Sequence, residues 1–220
     1  MIHPFGIMLP QSPGTSIRGL YAITPDALDF VELRAKLAAA LGGGVRIVQY
    51  RRKRLSRPEA LRESTELLGL CRDHGAALII NDDPGLAAEI GADGVHVGRG
   101  DGSPEAARGV VGIRAMVGAS AYDDYPRAQA LARTGADYVA FGSFYASTVK
   151  PQAVRAGVEL LSRARAEGLG CPVVAIGGIT VDNAPQLIAA GADAIAVISA
   201  LFDAADVGVR AAEFTQLFHA

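Results

Sequence analysis

The sequence predicts an α/β protein of one domain, a (β/α)8 barrel of the TIM type. Three observations carry this. Eight short apolar runs alternate with helix-like segments along 220 residues. Most of these runs are continuous rather than alternating, as suits parallel strands covered on both faces. The tripeptide Gly-Ala-Asp recurs at 91–93, 135–137 and 191–193, each time after a helix pattern and before a strand pattern. One βα unit about every 27 residues, from 220 residues shared over eight units, argues for a closed barrel. The alternative is a flavodoxin-like open sheet with a second domain, but no linker-like stretch divides the chain.

The expected strands are Leu20–Ile23, Val45–Tyr50, Ala77–Ile80, Gly94–Val97, Ala115–Gly118, Tyr138–Phe141, Val173–Ile176 and Ala194–Ile198. The second and fourth are interrupted by Arg46, Gln49 and His96, and the fifth is the weakest. Expected helices are Val31–Leu41, Pro58–His74, Asp124–Arg133, Val158–Glu167, Asp182–Ala190 and Ala204–Leu217. Gly42, Gly75, Gly91, Gly135 and Gly191 follow helix ends, where a left-handed residue is wanted. Residues 1–17, with Pro4, Pro10, Pro13 and Gly14, read as an arm, and 18–220 as the barrel.

Composition excludes several classes. Hydrophobic residues make up 50% and charged ones 20%, so an ordinary globular core is expected. A net charge of −2 without a basic tail gives no sign of nucleic acid. No apolar run reaches the ~18 residues of a membrane span, and no signal-peptide pattern opens the chain. Cys71 and Cys171 have no metal or redox spacing and read as small core residues in a reducing compartment. A cytoplasmic location is expected, with room for a homo-oligomer.

In such barrels the chemistry sits at the C-terminal ends of the strands. Strand alternation points Gln49, Arg51 and Lys53 the same way after the second strand, where Arg and Lys suit an anion. The plainer reading is a solvated basic loop. Asn81-Asp82-Asp83 after the third strand and Asp101 after the fourth supply carboxylates for Mg²⁺, although Asn-Asp at such a place is also an ordinary helix cap. His96 reads as a barrel-interior or supporting residue rather than a general base. Ser120 and Tyr122 follow the fifth strand. The loop from Gly142 through Ser147 and Val149 to Lys150 reads as a flap over an anionic ligand, or as a bare surface loop. Gly177-Gly178 and Ile198-Ser199 close the seventh and eighth strands, where barrels commonly hold a phosphate on backbone N–H groups.

In order and spacing, VQYRRK at 48–53, LIINDD at 78–83, GADGVHVGRGD at 91–101, ADYVAFGSFYASTVK at 136–150, VVAIGGIT at 173–180 and GADAIAVISA at 191–200 resemble the thiamine-phosphate synthase (pyrophosphorylase) family. The likeness runs from Tyr21 to about Ala200. It implies a transferase of thiamine biosynthesis with two small phosphorylated substrates, a hydroxymethylpyrimidine diphosphate and a thiazole phosphate, and with Mg²⁺. By this resemblance Arg51, Lys53, Asn81, Ser120 and Lys150 hold the diphosphate, and Gln49 orients the pyrimidine. Asp82 and Asp101 bind Mg²⁺. Ser147, Gly178, Ile198 and Ser199 serve the thiazole phosphate. Two positions depart from the pattern: Tyr122 stands where relatives often carry His, and Val149 where a second Thr is common. Three rivals follow. A thiazole tautomerase on the same barrel would want a His near Tyr122. A non-catalytic sensor of thiazole or thiamine phosphate would not need Asp82 and Asp101. A phosphate-binding barrel of tryptophan synthesis would not need the diphosphate set.

Overall fold

The computed structural model describes residues 17–146 and 154–219. Eight parallel strands close into a barrel in sequence order. They are β1 (Gly19–Ile23), β2 (Ile47–Tyr50), β3 (Ala77–Asn81), β4 (Gly94–Val97), β5 (Met116–Tyr122), β6 (Tyr138–Gly142), β7 (Val173–Ile176) and β8 (Ala194–Val197). Closure is made by β1 on β8, with Tyr21 opposite Ala196. Around it run α1 (Phe30–Gly42), α2 (Arg57–Asp73), α3 (Pro84–Ile90), α4 (Pro104–Val111), α5 (Tyr125–Arg133), α6 (Glu159–Glu167), α7 (Ala184–Ala190), the short α8 (Ser199–Phe202) and α9 (Val207–Gln216).

Alternation within each strand makes two apolar layers. Tyr21, Ile23, Ile47, Ile79, Tyr138 and Val174 fill the barrel interior, where Ile17 also packs. Leu20, Val48, Leu78, Val117 and Val139 face outward against Leu33, Leu37, Leu67 and Phe214 of the helices. Cys71 is fully buried in that outer layer. Both cysteines are free thiols, and burial pushes Cys71 up to about 12 and Cys171 up to about 11.

Side chains fix where the helices begin. Asp29, Asp83, Ser103, Asp124 and Asp206 accept the N–H of Glu32, Leu86, Ala106, Arg127 and Val209. Each satisfies a donor that the first turn leaves without a partner. The α3 and α4 segments, absent from the expected helices, start on Pro84 and Pro104 after such caps. Gly75, Gly91, Gly135 and Gly191 take positive φ as expected, whereas Gly42 ends α1 and the left-handed residue there is Gly44.

The Gly-Ala-Asp repeat has a defined job at the N-terminal end of the barrel. Asp93, Asp137 and Asp193 each donate their own N–H to the carbonyl of Leu78, Val117 and Val173. Each carboxylate accepts the N–H of that same residue, at 2.8, 2.6 and 2.8 Å. The aspartates before β4, β6 and β8 therefore clamp onto β3, β5 and β7.

Strand β5 runs on to Tyr122, past the expected end at Gly118. Its pairing with β6 shifts register between Ser120 and Tyr122. Such a bulge bends a strand and re-aims side chains at a barrel rim. Among the described residues no helix is long and apolar enough to cross a membrane.

Candidate active site

A cavity of about 640 Å³ opens at the C-terminal ends of the strands. Its walls include Gln49, Arg51, Asn81 and Ser120 on one side and Gly178, Ile198 and Ser199 on the other. A second hollow, about 430 Å³, lies by Arg18, Val173 and Asp193 at the opposite end and holds none of the expected site residues. Ser147 and Lys150, together with Val149, lie outside the described residues.

The polar wall is built from β2 and β3. Thr24 Oγ1 accepts the Arg51 N–H at 2.8 Å, fixing the chain as it leaves β2. The Arg51 guanidinium pairs with Asp26 at 2.5 Å, and the other oxygen of Asp26 accepts the Lys53 N–H at 2.9 Å. Asp26 thus holds both cationic residues at the rim. Arg52, between them, points outward to Glu63, which also accepts the Tyr50 hydroxyl at 3.0 Å. The basic run is therefore divided between a buried structural pair and the cavity mouth, as strand alternation requires.

Next to this wall two carboxylates meet. Asp83 spends its side chain on the cap of α3, and Asp82, next to the cavity-lining Asn81, has a left-handed backbone, φ 63. Partial burial and the neighbouring Asp101 push the Asp82 carboxyl above the ordinary carboxylate range, while Asn81 and Lys53 pull it back. Lys53 Nζ stands 3.7 Å from Asp82. Asp101 is held by the Gly98 N–H at 3.0 Å. A Cβ on Gly98 would stand 2.7 Å from the Asp101 carboxylate, so a side chain there would push that carboxylate aside. Among the described residues no group of three or more His, Cys, Asp or Glu side chains is placed to hold a metal. Two adjacent carboxylates do suit Mg²⁺, which commonly takes one or two from the protein and the rest from water and phosphate.

The opposite wall is mostly backbone. Asn183, just before α7, accepts the Thr180 N–H at 2.8 Å and donates to the Gly178 carbonyl at 3.2 Å, which braces the turn after β7. Gly178 has φ +63, and a Cβ there would stand 2.2 Å from the Ala146 carbonyl. Close packing of the loop after β6 thus excludes a side chain. After β8, the N–H groups of Leu201 and Phe202 return to the Ile198 carbonyl. Those of Ser199 and Ala200 precede the first helical bond and are donors without intrahelical acceptors.

Several residues in or behind the wall carry no sequence signal of their own. Arg99 lies 4.9 Å from the Tyr122 ring centre, and its N–H donates to the Tyr122 hydroxyl at 3.1 Å. Arg127 braces the Ser120 carbonyl at 2.9 Å. Ser143 and Thr180 also reach the cavity. Arg99, Ser143 and Thr180 come from loops and Arg127 from the first turn of α5, at spacings that only the folded barrel sets.

Residues 20–201 match the family model described as thiamine monophosphate synthase. The chain is 53% identical over 205 residues to the thiamine-phosphate synthase of Azoarcus sp. (strain BH72), covering 93% of this chain and 99% of that one. It is 51% identical over 203 residues to the thiamine-phosphate synthase of Methylobacillus flagellatus, covering 92% and 96%. The solved thiamine phosphate pyrophosphorylase from Pyrococcus furiosus superposes with a TM-score of 0.82 at 31% identity, covering 93% of this chain and 96% of that one. The chain belongs to the thiamine monophosphate synthase family.

Proposed function

We propose that this barrel is a thiamine-phosphate synthase, a transferase that joins 4-amino-2-methyl-5-hydroxymethylpyrimidine diphosphate to 4-methyl-5-(2-phosphoethyl)thiazole and releases pyrophosphate. The observation that carries the reading is one cavity with two unlike walls. Arg51, Asn81 and Ser120 beside the Asp82–Asp101 pair suit a diphosphate with its cation. The Gly178 turn and the Ser199 helix start, across the cavity, suit a phosphate monoester.

The division of labour follows from the chemistry. Breaking the carbon–oxygen bond of the diphosphate ester builds negative charge on the leaving group. Arg51, fixed by its ion pair with Asp26, and Lys53, whose backbone the same carboxylate anchors, stabilise that charge. Asn81 and Ser120 add polar contacts, and we assign Lys150 to the same group. When bound, Mg²⁺ neutralises the diphosphate oxygens as a Lewis acid, and Asp82 and Asp101 would hold it. Gln49 orients the pyrimidine, while Gly178, Ile198, Ser199 and Ser147 hold the thiazole phosphate. The thiazole nitrogen then attacks the electron-poor methylene, a step in which orientation of two substrates supplies much of the gain. No strong base is required, which fits Tyr122 rather than His at the mouth. We place the enzyme in the cytoplasm.

The deciding experiment gives purified protein both substrates, with and without Mg²⁺, and follows thiamine phosphate and pyrophosphate together. Equal, Mg²⁺-dependent release of both is expected. Asp82→Ala should lose activity on the order of 100-fold or more. Folded protein that forms neither product would overturn the reading.

A further inference from the structure

Five side chains from five strands form one hydrogen-bonded chain across the barrel interior. Gln49 Nε2 donates to the Tyr21 hydroxyl at 3.0 Å. The Tyr21 and Tyr138 hydroxyls are 2.8 Å apart. Tyr138 meets His96 Nδ1 at 3.1 Å, and His96 Nε2 meets Ser120 Oγ at 2.9 Å. The two ends, Gln49 and Ser120, both line the cavity. Room for the central ring comes from Gly118, where a Cβ would stand 2.0 Å from the Tyr138 ring.

Each tyrosine has one hydrogen to give, and a neutral imidazole has one donor and one acceptor nitrogen. If the Gln49 amide donates to Tyr21, Tyr21 donates to Tyr138 and Tyr138 donates to His96 Nδ1. The imidazole proton then sits on Nε2 and is given to Ser120 Oγ. Ser120 keeps its own hydrogen for the cavity, and Gln49 keeps its carbonyl oxygen. A hydroxyl can accept twice but donate only once, so a reversal part-way along leaves one buried hydroxyl hydrogen without an acceptor in the chain, and a uniform sense is the arrangement that satisfies every donor. Burial raises the pKa of both tyrosines, which keeps their hydrogens in place.

We infer that Tyr21, Tyr138 and His96 are positioning residues that set one hydrogen-bonding sense across the barrel, so that Gln49 presents an acceptor and Ser120 presents a donor to the same substrate. This rests on the proposed reaction, whose pyrimidine diphosphate offers an amino donor at one end and an anion, an obligate acceptor, at the other. Both ends select the same sense. His96 works through its Nε2–H tautomer and takes no proton from the substrate.

The test reads the tautomer directly, by long-range proton–nitrogen correlation spectra of histidine-labelled protein. The chain has four histidines, and a His96→Gln variant identifies the signal. In wild-type protein, with Mg²⁺ and inorganic pyrophosphate added, His96 is expected as the neutral Nε2–H form. Tyr138→Phe and Ser120→Ala should each shift it toward the other tautomer. Ser120→Ala, at the cavity wall, keeps the test alive if Tyr138→Phe fails to fold. Tyr21→Phe, which frees the Gln49 amide, should lower kcat/KM for the pyrimidine diphosphate about 10-fold and leave KM for the thiazole phosphate unchanged. A proton on Nδ1, or a tautomer that neither variant moves, overturns the relay. Product formation is scored separately: a wild-type protein without synthase activity defeats the reaction, and the tautomer still decides the sense of the chain.

Discussion

Asp82 and Asp83 are neighbours with opposite roles. Asp83 starts a helix, and Asp82 stands against Asp101 at a cost in stability. Folding raises the Asp82 pKa above its ordinary ~3.9, so between the two values the folded chain holds more proton than the unfolded one. The Asp82 contribution therefore falls as pH rises through that window. Asp101→Asn keeps an oxygen for the Gly98 N–H and removes the like charge. Thermal melts of metal-free protein should then show a higher Tm at neutral pH, a smaller difference between acid and neutral pH, and no further rise with Mg²⁺. A variant that melts lower than wild type at neutral pH without metal would contradict this account. The acidic residues themselves were legible, because carboxylates after an apolar run at a barrel mouth are conspicuous. The interior tyrosines were not, since a tyrosine in a buried strand reads as core until its hydroxyl partner is seen.

At the scale of elements, the turn after β7 and the Gly-Ala-Asp clamps invite contrasting substitutions. Asn183→Ala removes both braces of the turn, so KM for the thiazole phosphate should rise about 10-fold in steady-state kinetics with stability changed little. Asp193→Ala removes a charged acceptor from the Val173 N–H at the other end of the barrel. It should cost about 1–3 kcal/mol by denaturant titration and leave kcat and KM essentially unchanged. The repeat was legible as a turn. Its clamping role was not, because which strand an aspartate reaches depends on barrel register. Helices α3 and α4 escaped notice for a simpler reason: at 7 and 8 residues they are too short to show apolar periodicity. The extension of β5 hides in Ala119, Ser120 and Ala121, small residues without a strand-forming signature.

For the molecule as a whole, closure followed from counting apolar runs and from the repeat, since an even βα rhythm leaves no seam for a second domain. Strand alternation gave the split of the basic run between mouth and exterior, but not the buried partner that Arg52 finds there. Arg52, Glu63 and Tyr50 lie together under α2, with the two charged side chains 8% and 4% exposed. Glu63→Ala would leave the Arg52 charge without its buried partner, and about 3–5 kcal/mol should be lost in equilibrium unfolding. A loss near zero would mean that water reaches the pair. The three aspartate clamps bear on engineering. They lock alternate strands to their successors at the end remote from the cavity, through bonds that involve no mouth loop. A designer who keeps Asp93, Asp137 and Asp193 can therefore treat the mouth loops as exchangeable cassettes, because the frame that receives them is fastened from below.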